Sequence, residues 1–196
     1  MSKQVKGTIQ LLVCSFIWGV AFVAQSEGMK YVGPWTFICT RYLLGAVVLI
    51  PVIVFFDKYD AKRREKELSR EEKNTIWKNT VIGGICSGVF LVSASLFQQY
   101  GICETSVGKA GFITALYIII VPFFSIFLHK KIGLNAWISA VIACVGFYFL
   151  SIKGYTAINR GDILLLICAV LYSLQILTID KFVDKVNTIA NIHIAK

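Results

Sequence analysis

The chain has 196 residues, of which 57% are hydrophobic and 16% charged, against about 45–50% apolar and about 25% charged in an average soluble domain. The formal net charge is +9, but the basic residues stand mostly between apolar blocks. Together these figures exclude a disordered chain, a nucleic-acid-binding domain and most soluble enzymes, and they leave an all-α polytopic membrane protein embedded in a lipid bilayer.

Six apolar blocks come close to the roughly 20 residues that span a bilayer as a helix. The first is Thr8–Ser26. Lys3 and Lys6 ahead of it have the look of a signal-peptide start, but the run passes through Trp18-Gly19 with no A-x-A site behind it, so a retained span is expected. The second block, Pro34–Phe56, contains Arg41. The stretch 57–79 is dense in both charge signs and reads as a solvated loop with helical character. The third block, Thr80–Gly101, carries Gly84-Ile-Cys-Ser-Gly88, a GxxxG that predicts close helix approach, and ends on Gln98-Gln99. The fourth, Gly108–Leu128, opens on Lys109 and includes Pro122, which predicts a kink. The fifth, Leu134–Ile152, has a small-residue face of Ala136, Ala140, Ala143 and Gly146. The sixth, Gly161–Ile179, has Asp162 in its first turn and Tyr172 in mid-span.

Orientation follows from Lys and Arg. Fifteen of the 20 lie on one side, in the N-terminal segment, the 57–79 loop, Lys130-Lys131 and the C-terminal segment; four (Lys30, Lys109, Lys153, Arg160) lie on the other. Both termini are therefore expected in the cytoplasm, in a multi-pass protein of the cell membrane. The six cysteines include no CxxC pair and read as small packing residues, not as a disulfide framework or a zinc site.

An internal repeat links the two ends of the chain. Gly7-Thr-Ile-Gln-Leu-Leu-Val-Cys14 matches Gly161-Asp-Ile-Leu-Leu-Leu-Ile-Cys168, and Trp18 falls opposite Tyr172. Five spans separate the copies, so the second starts from the opposite side of the membrane, the inverted-topology arrangement of many secondary transporters. Residues 8–152 form one unit on this reading, and 161–196 begin a second that stops early.

Ile17-Trp18-Gly19-Val-Ala-Phe22, Gly33-Pro34 and Arg41-Tyr-Leu-Leu-Gly-Ala46 resemble the opening of an EamA-type repeat. Gln98-Gln99-Tyr-Gly101, Thr105-Ser-Val-Gly-Lys109-Ala-Gly-Phe-Ile113 and Val121-Pro122 are similar to its third and fourth helices, and residues 142–151 to its fifth. That repeat defines the drug/metabolite transporter superfamily. The resemblance implies ten helices in two five-helix repeats around a central cavity, and movement of small metabolites across the membrane. This chain carries one such repeat plus one further helix, apparently truncated after the sixth. A second copy or another chain would then supply the missing repeat, and the cavity-facing side should be an open groove.

Candidate substrate-binding residues are Arg41, Gln98, Gln99, Lys109, Trp18 and Tyr172. An intramembrane arginine costs at least about 2.5 kcal/mol and normally faces a cavity or a partner. Arg41 reads equally as a ligand for an anionic or amino-acid-like substrate, as the partner of Glu104, or as a residue snorkelling to headgroups. Lys109 reads as an anion-binding cation or an interfacial anchor. One of Gln98 and Gln99 is expected to line the cavity and the other to bond a neighbouring helix; Trp18 and Tyr172 are path-lining or packing aromatics. No HExxH, paired buried aspartates or phosphate-binding loop occurs, so neither an enzyme nor an ATP-driven pump is expected, and no cofactor. The reading is a secondary transporter working by alternating access; the alternative is a non-transporting membrane fragment or assembly partner.

Overall fold

A computed structural model describes residues 3–63, 69–127, 133–134, 137–142, 145–146 and 159–191. The helices are α1 (Lys3–Gly28), α2 (Pro34–Arg63), α3 (Arg70–Glu104), α4 (Val107–Ala115), α5 (Tyr117–Phe127) and α6 (Arg160–Asn191). Residues 137–142 and 145–146 are helical as well, but most of the predicted fifth span, with Ala136 and Ala143, lies outside the described residues. Among the described residues there is no strand, and five helical stretches are long and apolar enough to cross a membrane. The protein is a multi-pass, all-α membrane protein.

Local chemistry sets the helix ends. Pro34 opens α2, where a missing N–H costs nothing. Ser69 starts α3 with a reciprocal capping box: its hydroxyl accepts from the Glu72 amide and its own amide donates to the Glu72 carboxylate. The 57–79 stretch is therefore largely helical where it is described, α2 running on through Arg63 and α3 beginning at Arg70. Ser106 caps α4. Asn159 and Asp162 cap the start of α6 in the same reciprocal way, the Asp162 amide donating to Asn159 Oδ1 at 2.9 Å and the Asn159 amide to Asp162 Oδ2 at 3.0 Å. The fourth span is interrupted at Leu116, whose amide closes a tight turn onto the Ile113 carbonyl at 3.2 Å. The break precedes Pro122 by more than one turn.

The α3–α6 pair is the centre of the bundle. α4 and α5 pack on α6, and α1 and α2 lean on this group with most of their apolar surface outward. One core cluster joins Phe22, Ile102, Ala110, Ile113 and Leu165; another joins Ala94, Cys168 and Tyr172. The closest helix approach is not at the predicted GxxxG, since a Cβ on Gly84 or Gly88 would meet nothing within 4 Å. Among the described glycines, backbone meets backbone instead where Gly101 and Gly161 face one another: a Cβ on either would fall within 3.0 Å of the other's carbonyl oxygen. Of the five described cysteines only Cys168 packs in the core; Cys14, Cys39, Cys86 and Cys103 are exposed.

Candidate functional site

Arg41 stands seven residues into α2, about 10 Å along the helix from Pro34. Its guanidinium donates to Gln25 Oε1 on α1 at 3.0 Å and to the Tyr42 hydroxyl at 3.5 Å, and it lies 5.2 Å from the centre of the Tyr42 ring. The pairing with Glu104 considered above does not form: Glu104 is exposed at the end of α3, and its backbone carbonyl accepts from the Asn159 side chain at 2.9 Å.

From Tyr42 a run of hydrogen bonds crosses the bundle. The Tyr42 hydroxyl meets Ser95 Oγ on α3, Ser95 Oγ meets the Tyr172 hydroxyl on α6 at 3.2 Å, Tyr172 bonds Gln98 Oε1 at 3.3 Å, and Gln98 Nε2 reaches Thr114 Oγ1 on α4 at 3.5 Å. Each hydroxyl has one hydrogen, so proton counting fixes the direction. The Gln98 carbonyl oxygen can only accept, so Tyr172 donates to it. Ser95 must then donate to Tyr172, and Tyr42 to Ser95, while Arg41 donates to Tyr42. Every bond points from the arginine toward Thr114, the alignment in which neighbouring bonds polarise and strengthen one another.

This chain of side chains is buried and deep. Ser95, Gln98, Thr114, Tyr172 and Gln25 are buried, and Arg41 is half-buried. Ser95 lies about 14 Å along α3 from Glu104, and Tyr172 about 18 Å along α6 from Arg160. In a hydrocarbon core of about 30 Å, that is near the midplane. Both Gln98 and Gln99 are inside, at 2% and 1% exposure. Both the oxygen and the nitrogen of the Gln98 amide have a partner, whereas the Gln99 amide nitrogen has none. Gln98 and Gln99 therefore do not lie open in a groove among the described residues: side chains from five helical elements meet here, each supplying the partner the next one needs, while Arg41 and Tyr42 stay half-buried.

Two predicted residues lie elsewhere. Lys109 forms an ion pair with Asp162, Nζ to Oδ2 at 2.6 Å, and the Asp162 carboxylate also accepts from Thr105 Oγ1 at 3.2 Å and from the Asn159 amide. With its carboxylate almost wholly buried, this cluster ties the ends of α3, α4 and α6 together. Trp18 is 49% exposed on α1, while Tyr172, its counterpart in the repeat, is buried. The residues that sequence reasoning missed are Gln25, Tyr42, Ser95 and Thr114. Their only signal is polarity within apolar spans, which many back-bonded hydroxyls of this chain share.

A model of the EamA-like transporter family matches residues 5–152. The chain is also 27% identical over 181 residues to a protein named an uncharacterized transporter in Archaeoglobus fulgidus. That match covers 92% of this chain and 51% of the relative, so the chain spans about half the length of the curated relative it matches. No solved structure matches it. The family match covers well over half of the residues and includes most of the helices that build the polar chain: the protein belongs to the EamA-like transporter family.

Proposed function

We propose that this chain is a secondary-transport module that moves a small metabolite by alternating access, without a cofactor, in the cell membrane and with both termini in the cytoplasm. The polar chain from Arg41 to Thr114 is its substrate-facing wall. The observation that carries this reading is the excess of donors in that wall and at Gln99, the residue next to Gln98 on α3. Arg41 uses two of the five N–H groups of a guanidinium, and Gln99 keeps a buried amide nitrogen without an acceptor. A purely structural network in an apolar bundle would balance donors with acceptors, because an unpaired buried donor costs about 1–3 kcal/mol. A carboxylate-bearing substrate, anionic or amino-acid-like, supplies the acceptors, and a guanidinium holds it in a fork.

A second repeat completes the pathway. Gly161, Leu165, Cys168 and Tyr172 of α6 are buried, mainly against α3. The matching positions of α1 are Gly7, next to which a Cβ would meet nothing, and Leu11, Cys14 and Trp18, which are exposed. One motif packed in one copy and uncovered in the other supports a second repeat over α1. The rival reading is a non-transporting assembly partner.

The test is thermal unfolding of the purified protein with a panel of amino acids and small mono- and dicarboxylates, followed by uptake into liposomes. At least one carboxylate should raise the Tm of the wild type; Arg41→Ala should abolish both the shift and the uptake, and Arg41→Lys should keep a small part. Equal shifts in wild type and Arg41→Ala would remove Arg41 from the site. Ligand binding with no uptake in any reconstitution would favour the assembly partner.

A further inference from the structure

The charges of the polar chain do not balance. Arg41 meets only neutral groups: Gln25 Oε1 at 3.0 Å, the Tyr42 hydroxyl at 3.5 Å and the Tyr42 ring at 5.2 Å. The elements around it bring no carboxylate to it. On α1, Glu27 lies two residues beyond Gln25, about 200° further around the helix, and both its oxygens take the Lys30 ammonium, at 2.7 and 2.8 Å. On α2 the first acidic residue after Arg41 is Asp57, about 24 Å along the helix. On α3, Glu104 is exposed and about 14 Å along from Ser95. On α6, Asp162 is held by Lys109 at 2.6 Å, and Asp180 lies about 12 Å beyond Tyr172, toward the end away from Arg41. α4, α5 and residues 134–152 contain no acidic residue, and the remaining ones fall in 60–72 or at 184.

The chain therefore holds one uncompensated positive charge in an apolar bundle, where a cation is costly without a counter-charge. Acceptors are as scarce as carboxylates. The Gln25 oxygen already accepts from Arg41 and the Gln98 oxygen from Tyr172. The hydroxyls of Tyr42, Ser95 and Tyr172 each accept one bond within the chain. Three N–H groups of the guanidinium remain unused. A molecule arriving at this wall finds one positive charge and spare donors, and no negative charge.

We infer that the substrate class of this site is the singly charged carboxylate, bound as a neutral pair with Arg41, an inference that rests on the carboxylate reading given above. A carboxylate of one negative charge cancels the guanidinium, and its two oxygens meet the fork of N–H groups. An amino acid brings an ammonium that must lie beside the same guanidinium with no carboxylate of the protein to face. A dicarboxylate brings a second negative charge, and the Lys109 ammonium that could have met it is already neutralised by Asp162. Each of these leaves one charge unpaired away from water, the arrangement that costs most. The class thus narrows to monoanions and leaves the amino acids out.

The test is the concentration dependence of the Tm of the purified chain with compounds matched in skeleton and different in charge. The pairs are lactate and alanine, 2-hydroxyisocaproate and leucine, phenyllactate and phenylalanine, and monomethyl succinate and succinate. In at least one pair the singly charged member should bind about tenfold more tightly, since two like charges about 5 Å apart near a protein surface repel by more than one tenfold step in affinity. Gln25→Glu puts a carboxylate where the Gln25 oxygen already meets the guanidinium, so the contact stays and the charge is cancelled. Affinity for the monoanion should then fall about tenfold and the preference should vanish; Arg41→Gln should also abolish the preference, and serves if Gln25→Glu does not fold. Glu104→Gln, at the exposed end of α3, should leave the preference unchanged. Equal affinities within every pair, or tighter binding of the zwitterion or dianion, would overturn the charge matching while leaving the carboxylate site standing. So would a preference unmoved by Gln25→Glu, or moved as far by Glu104→Gln. No shift with any of the eight compounds would remove the carboxylate site itself, and this inference with it.

Discussion

Replacing Gly101 by alanine tests the central helix pairing directly. The added Cβ would stand 2.6 Å from Leu165 Cγ and 3.0 Å from the Gly161 carbonyl oxygen. Leu165 cannot simply swing away, because it is fully buried and packed with Phe22, Ile102, Ala110 and Ile113. The Gly161 oxygen is backbone, so relief requires α3 and α6 to separate. Overpacking of this kind costs about 1–3 kcal/mol, and at roughly 2–4 °C per kcal/mol for a chain of this size the Tm should fall by about 2–12 °C. The separation would also pull Asn159 from the Glu104 carbonyl. Gly161→Ala should behave alike, since its Cβ would lie 2.9 Å from both Glu104 Cβ and the Gly101 oxygen. Gly88→Ala is the control: it meets nothing within 4 Å and should leave the Tm unchanged or slightly raised. Tryptophan-fluorescence melting in one detergent measures all three. If Gly101→Ala melts with the wild type, the two helices do not meet at these glycines and the packing described here is wrong.

Three further outcomes are expected. Tyr42→Phe and Tyr172→Phe should each destabilise by about 0.6–1.7 kcal/mol, the range for hydrogen bonds between membrane helices; the double variant should cost less than their sum, because the first break already depolarises the rest, and strict additivity would sink the directional chain. Lys109→Met should be the most damaging surface-level change, by about 3 kcal/mol, since it strands the Asp162 carboxylate; Lys109→Met with Asp162→Asn should recover most of the loss, and no recovery would show that the pair does not act as a unit. Cysteine labelling from outside the cell should reach a Lys30→Cys protein and spare a Lys66→Cys one, as the 15-to-4 distribution of basic residues requires; the reverse pattern would invert the orientation.

Five of the six expected spans were legible because each is a long apolar run, four of them with a punctuated start. Pro34, the Ser69/Glu72 box, Ser106 and the Asn159/Asp162 pair are short-range signals whose partners lie within three residues. The helix contacts were not legible in the same way. GxxxG spacing says that a close approach is permitted, yet Gly84 and Gly88 face open space while Gly83 and Gly101 carry the contacts. Gly83 and Gly84 differ by about 100° of rotation around α3, and only the position of α6 decides which one matters. Asp162 could be read as a helix-start acid from its place in the first turn, but its pairing with Lys109, 53 residues earlier, depends on the ends of two helices arriving at one point.

The polar chain of the candidate site was half legible for a related reason. Arg41, Gln98 and Tyr172 are conspicuous, because a large polar group in an apolar span is costly unless it is paired. Ser95 and Thr114 are not, since a hydroxyl in a helix has a cheaper alternative. Ser15, Thr40, Ser125, Ser173 and Thr178 all return their hydroxyls to the carbonyl four residues earlier, within 2.9 Å. Such a group is satisfied inside its own helix and says nothing about its neighbours. Ser95 instead lies between two tyrosines from different helices, and the choice between the two bonds is made by Tyr42 and Tyr172, not by the serine. A small hydroxyl is thus informative only once the larger groups around it are placed, so the arginine, the glutamines and the tyrosines can be nominated from the sequence, and the atoms that connect them only from the fold.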